Sequence, residues 1–148
     1  MTTKKLTPAK KRKAFTKLVE ALRSGEYKQG TGQLRDVTRN EYCCLGVFCD
    51  VLMKNKLSQH ELIWDANNSE NKQEVLVDGF HVDDGDNCYF LPSDIAEEFD
   101  FPREIQDSFI QKNDGEPIKH IKKQSFKRIA NLVEKTFLTP KKTTKKEK

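Results

Sequence analysis

The chain has 148 residues, 35% of them hydrophobic and 34% charged, with a formal net charge of +4; that is the size of one domain. Its longest apolar run, Cys43–Cys49, covers seven residues and contains Gly46, too short for a membrane span of roughly 20 residues. Nine Phe, three Tyr and Trp64 supply enough bulk for a small core, which excludes wholesale disorder.

The first thirteen residues carry Lys4, Lys5, Lys10, Lys11, Arg12 and Lys13 and no acid. They lack the pattern of a charged start, an apolar run and a small-residue cleavage site, so no secretory signal is expected. Thr7 is placed to cap a helix and Pro8 suits its first position. Phe15, Leu18, Val19 and Leu22 recur at i, i+3, i+4 and i+7, one face of a helix. With Gly25 as its left-handed cap, the pattern predicts a helix over 8–23. Polar residues dominate from 26 to 42, where Gln33–Val37 and Asn40–Tyr42 are predicted as a hairpin turning near Thr38–Arg39. Cys44, Val47, Phe48, Val51 and Leu52 then return to helical spacing, which predicts a buried helix over 44–54. Gly46 costs that helix on the order of 1 kcal/mol relative to Ala, and close approach of another backbone explains its presence.

Residues 55–74 are polar apart from Leu57 and Leu62–Trp64, with a loop expected at Asn67–Asn71. Val75–Val77 and Phe80–Val82 flank Asp78-Gly79, a hairpin signal. A turn at 83–87 and a strand at Cys88–Leu91 complete a three-stranded meander. Pro92 and Ser93 open a short helix over 93–99, Phe101-Pro102 ends it, and another short helix is expected over Arg103–Lys112. Asn113-Asp114-Gly115 turns the chain. Ser125 caps a last helix whose Phe126, Ile129, Ala130, Val133 and Phe137 form one apolar face; with Phe109, these are read as core. Residues 141–148 hold five Lys and Glu147, which leaves −6 for residues 14–140. The expected architecture is one α+β domain over 7–138. In it a small antiparallel sheet (hairpin plus three-stranded meander) packs against helices 8–23, 44–54 and 126–138, between disordered basic segments at 1–6 and 139–148.

Four cysteines, Cys43, Cys44, Cys49 and Cys88, are expected as free thiols in a reducing compartment. Zinc fits poorly: no Cys-x-x-Cys pair exists, and a Cys49–Cys88–His81 site lacks a fourth ligand. Cys44, at a helix N-terminus, has the dipole that favours thiolate. With His81 as base and Asp50 or Asp83 as orienter it would make a cysteine-dependent hydrolase or transferase; the alternative is a small buried hydrophobe. Asp78, Asp83, Asp84 and Asp86 offer oxygens to a hard cation, but the spacing is not that of an EF-hand and turn chemistry explains them. No metal and no cofactor is expected. Tyr27–Gly32 with Arg35 is the favoured binding segment. Gly30 and Gly32 free the backbone to approach an anion, Arg35 grips phosphate or carboxylate with two prongs, and Tyr27 stacks. The segment is not a phosphate loop, and its bland reading is a tight connection between the first helix and the hairpin. Tyr27, Gln29, Gly30, Gly32 and Arg35 are therefore the candidate ligand-binding residues. The Lys/Arg-rich ends suit weak, salt-sensitive nucleic-acid contact, set against an acidic body.

The string Ala-Leu-Arg-Ser-Gly-Glu-Tyr-Lys-Gln-Gly (21–30), Gly-Gln-Leu-Arg (32–35), Tyr-Cys-Cys-Leu-Gly-Val (42–47) and Cys49-Asp50 is unusual. Leu91-Pro92, Asn113-Asp114, Ser125-Phe126, Ile129-Ala130 and Val133-Glu134 extend it in patches. In these residues the chain resembles a family of small, mostly uncharacterised accessory proteins of tailed bacteriophages. Members of that family pass from Asn-Asp through a short Ser-Gly-type turn to the Ser-Phe helix; here Glu116–Gln124 is longer and rich in Lys. The resemblance implies phage origin, expression in the cytoplasm of an infected bacterium and a non-virion role in host takeover or anti-defence. It carries no reaction and none of the three histidines. The resulting expectation is a non-catalytic protein that binds a host protein or a small anionic ligand, such as a nucleotide signal, without a membrane.

Overall fold

The computed structural model describes residues 6–65, 74–80 and 89–139. The loop at 67–71, the turn at 83–87, His81, Val82, Cys88, Asp83, Asp84, Asp86 and nearly all of both basic ends lie outside the described residues. Helix α1, Pro8–Ser24, starts as its sequence dictates: Thr7 Oγ1 accepts a hydrogen bond from Lys10 N at 3.2 Å, and Gly25 closes it at φ 81°. The apolar stripe Ala14, Phe15, Leu18, Val19 and Leu22 is buried.

Three two-residue strands follow: β1 (Lys28–Gln29), β2 (Arg35–Asp36) and β3 (Glu41–Tyr42), in the order β1-β3-β2. The expected hairpin is present as the antiparallel β2–β3 pair. The sheet is mixed, because β1 lies parallel to β3 and Gly30 N donates to the Tyr42 carbonyl at 2.8 Å. Helix α2, Cys44–Asn55, is buried on every side from Cys44 to Leu52, so it forms the centre of the domain. A Cβ on Gly46 would lie 1.9 Å from the Leu34 carbonyl oxygen. The glycine is there because the backbone between β1 and β2 crosses the helix at that point.

Strand β4 (Leu62–Asp65) pairs antiparallel with β5 (Glu74–Val77), in register Leu62↔Val77 to Asp65↔Glu74. The Asp78-Gly79 turn forms as predicted, with φ 53° and 87° and Val77 and Phe80 exchanging backbone hydrogen bonds. The sheet partner of Glu74–Val77 is nevertheless β4, whose Leu62–Trp64 stands amid polar residues. Leu91 is not in a strand either. It is buried, and its N–H donates to the Gln106 side chain at 2.8 Å, so it needs no ladder partner.

Helices α3 (Ser93–Glu98), α4 (Arg103–Asp114) and α5 (Phe126–Val133) complete an α+β fold with five α-helices and two small sheets among the described residues. Ser125 Oγ caps α5 by accepting from Arg128 N at 3.3 Å. Beyond Val133 the expected regular helix widens into a π turn, Glu134–Leu138, closed by Thr139 N on the Glu134 carbonyl. In that turn Phe137 stacks on Phe15 at 4.0 Å, and Phe15 stacks in turn on Phe48 at 5.2 Å. Phe99, Phe101 and Phe109 surround them, which makes an aromatic core between α1, α2 and the α3–α4 corner.

Two consequences follow for stability. Helix propensity alone favours Gly46→Ala by about 1 kcal/mol, but the collision with Leu34 reverses the sign. Urea denaturation is expected to show a loss of roughly 1–3 kcal/mol or more. Separately, His60 Nδ1 lies 2.8 Å from Asp78 Oδ2, at the end of the β4–β5 pair where Leu62 meets Val77. Burial by itself lowers the His60 pKa, but the hydrogen bond and charge of Asp78, with Glu98 and Asp94 behind it, raise it on balance. The Asp78 pKa is lowered by the same hydrogen bond. The pair therefore contributes fully below the unfolded histidine pKa of about 6.5, and its contribution fades as pH rises through the folded value. At the acid end it is lost as pH falls through the depressed Asp78 value. His60→Gln is expected to flatten the decline of the urea midpoint as pH rises from about 6.5.

Candidate functional site

The predicted segment Tyr27–Arg35 divides between two places. Its middle is turned inward. Asn113, fully buried at the end of α4, accepts from Gln29 Nε2 at 3.1 Å and from Cys44 N at 3.3 Å through Oδ1. Its Nδ2 donates to the Gly30 carbonyl at 2.8 Å and to Asp114 Oδ1 at 2.7 Å. Two donors and two lone pairs are all an amide has. Gln29 Nε2 also reaches the Gln124 carbonyl at 2.8 Å, and Gly32 N donates to Asp114 Oδ2 at 3.1 Å. Gly30 is buried, and a Cβ there would lie 2.6 Å from Glu41 Cβ. The close approach that its glycine permits is to β3, not to a ligand. Gln29 and Gly30 thus belong to an internal clamp; Gly32, at φ 80° with open space beside it, stays exposed on the same loop.

The cysteines are interior. Cys43 has no capping side chain of its own, and Asn113 supplies the bond to the first turn of α2. Cys44 is 2% exposed and its Sγ donates to the Phe109 carbonyl at 3.8 Å. Burial pushes Cys43 up to about 12 and Cys44 well above its ordinary value, and it raises Cys49 likewise. The helix dipole was expected to favour thiolate at Cys44; desolvation outweighs it. A closed-off neutral thiol does not present a nucleophile. His81, its expected base, lies outside the described residues. Among the described residues no group of three His, Cys, Asp or Glu side chains is arranged to hold a metal.

The two ends of the segment meet on the opposite side of β3. Tyr27 and Tyr42 pack edge to face at 5.0 Å, and Tyr42 meets Trp64 at 6.1 Å. The Arg35 guanidinium lies over both the Tyr42 ring, at 5.3 Å, and the Trp64 ring, at 5.6 Å. Asp50 of α2 fixes this cluster from below. Its carboxylate accepts from Tyr27 OH at 2.5 Å and Trp64 Nε1 at 3.0 Å, and pairs with Lys54 at 3.1 Å. Burial alone would raise the Asp50 pKa, but these three donors hold it below the usual value. Burial and the Asp50 hydrogen bond raise the Tyr27 pKa, so that phenol stays protonated and donating.

A family model, the domain of unknown function DUF8296, matches residues 10–137. The chain belongs to that family. No curated protein and no solved structure matches it.

In this DUF8296 domain the sequence brought Tyr27 and Arg35 forward but missed their partners Tyr42, Trp64 and Lys54, and it gave Asp50 a different role. A carboxylate inside an apolar helix, as at Asp50, was the available signal, since such a group is buried only with donors around it. Asn113 left a weaker sign, its position just before Gly115 at a helix end.

Asn113→Ala leaves buried backbone groups of Cys44 and Gly30 without partners. Denaturant unfolding is expected to register a loss of about 2–5 kcal/mol. For the thiols, native-state iodoacetamide labelling with peptide mapping is expected to leave Cys43, Cys44 and Cys49 unmodified until denaturant is added.

Proposed function

We propose that this protein is a non-catalytic phage accessory factor that binds a host protein through the face built on Tyr27, Arg35 and Trp64. The observation that carries the reading is the position of Arg35, held over two aromatic rings above a locked carboxylate. Arg, Tyr and Trp are the residues that dominate binding energy at protein interfaces. Val37, just past β2 and two residues beyond Arg35, is 47% exposed, so apolar surface adjoins the cluster in sequence; Ile63, 48% exposed, alternates with Trp64 on β4 and points to the other face. Because Asp50 holds Tyr27 and Trp64, little side-chain freedom is lost on docking. A partner carboxylate suits the guanidinium. The phage setting and the host cytoplasm rest on the resemblance of residues 21–53 described above.

The test places a photo-crosslinking amino acid at position 37 in the full chain, exposed to bacterial lysate. A discrete crosslinked product is expected, lost in Arg35→Ala while cooperative unfolding of that variant is retained. A product of equal yield with Arg35→Ala would remove this face from recognition.

A further inference from the structure

The segment between α4 and α5 is a rigid hairpin with an apolar tip. Glu116 and Ile121 exchange backbone hydrogen bonds at 2.8 and 2.9 Å, His120 N donates to the Pro117 carbonyl at 3.0 Å, and His120 takes a left-handed φ of 57°. The Glu116 carboxylate accepts from Ile118 N at 3.3 Å. At its base Gln124 N donates to the Lys112 carbonyl at 2.7 Å, and Gly115 fits closely against Lys123, whose N would lie 3.3 Å from an added Cβ. So ordered a turn would ordinarily carry a polar tip. Here the tip is Ile118, 88% exposed.

Apart from Glu116, whose carboxylate holds Ile118 N, the charge that follows is one-sided. No Asp or Glu occurs between Glu116 and Glu134. Lys119, Lys122, Lys123, Lys127 and Arg128 are all exposed, and none is in an ion pair among the described residues. Lys127 and Arg128 stand in the first turn of α5, which has no acidic residue. That is the end where the helix dipole disfavours cations. Residues that oppose a local folding rule mark places where something other than folding chose them.

We propose that the Glu116–Lys123 hairpin and the first turn of α5 form a nucleic-acid contact. The five cations meet backbone phosphates, and Ile118 enters a groove or a base step as an apolar wedge. This surface belongs to folded elements, unlike the basic ends on which the sequence alone placed nucleic-acid contact, and it stands independently of the Arg35 face. A bilayer fits less well, since stable membrane attachment needs a larger apolar anchor beside the cations, and Ile118 is the single large apolar side chain at the tip.

The experiment measures fluorescence anisotropy of the full chain with labelled duplex DNA, single-stranded DNA and duplex RNA of arbitrary sequence, between about 50 and about 200 mM salt. With at least one of these, wild-type binding is expected to fall linearly in log–log form. For duplex DNA, K119Q/K122Q/K123Q is expected to bind at least about tenfold more weakly and to lose about 2.7 from the salt slope, roughly 0.9 per phosphate contact. Ile118→Ala is expected to weaken binding with the slope unchanged. Both variants alter exposed side chains only, so their melting temperatures should match wild type. Absence of wild-type binding to all three probes, or a triple variant that keeps both affinity and slope, would overturn the proposal. So would a triple-variant loss seen only with phosphatidylglycerol vesicles or polyglutamate.

Discussion

One buried amide draws three distant stretches of chain together. Asn113 takes the N–H of Cys44 at the start of α2, the side chain of Gln29 and the carbonyl of Gly30. A buried backbone group without a partner costs roughly 1–3 kcal/mol, so the amide matters beyond its own bonds. It draws the chain after β1 against the end of α4. Four residues later the Leu34 carbonyl reaches the surface of α2 at Gly46, where only a missing side chain admits it. Leu34 then receives Cys43 N at 3.1 Å. The contact at Gly46 and the amide of Asn113 are two sides of one constraint, which holds the loop from residue 30 to residue 34 against α2 and so places β3 between β1 and β2.

The central helix carries one charge into the interior, and that charge organises the surface above it. Taking a carboxylate out of water is tolerated when donors surround it, and Asp50 has a phenol, an indole and an ammonium. Two of these bonds also orient a ring. Tyr27 and Trp64 come from elements far apart in sequence, and Asp50 is the common point that sets both beside Tyr42. Arg35 then lies over rings whose orientation is already fixed. The thiols of Cys44 and Cys49 on the same helix meet only backbone N–H donors, which desolvation outweighs, and stay neutral, so α2 shows both outcomes for an ionisable group in a core, separated by the strength of the partners.

What could be read in the sequence was local. Thr7, Pro8 and Gly25 mark both ends of α1, Ser125 marks the start of α5, and Gly46 announces a backbone crossing without saying which backbone. The unread parts depend on partners far away in sequence. Leu62–Asp65 is a strand because Glu74–Val77 pairs with it, and four residues amid polar ones carry no period of their own. Cys88–Leu91 has strand-like composition, but a side chain, Gln106, takes the Leu91 N–H. Tyr27–Gly32 reads as one glycine-rich ligand loop. Tyr27, just before β1, goes to the aromatic face, while Gln29 and Gly30 bond to Asn113, a division set by partners far away in sequence and not by any local period.

Net charge conceals the arrangement that matters for a polyanion. Residues 14–140 sum to −6, which argues against nucleic-acid contact by the body if charge is spread evenly. It is not spread evenly. The acid-free stretch from Pro117 to Val133 lies inside that negative total, and its five exposed cations sit on a hairpin and the first turn of a helix. Fields in solution are screened over about 8 Å at physiological salt, so a phosphate near the hairpin responds to those side chains and little to acids across the domain. Local geometry, not the sum, decides what this surface attracts.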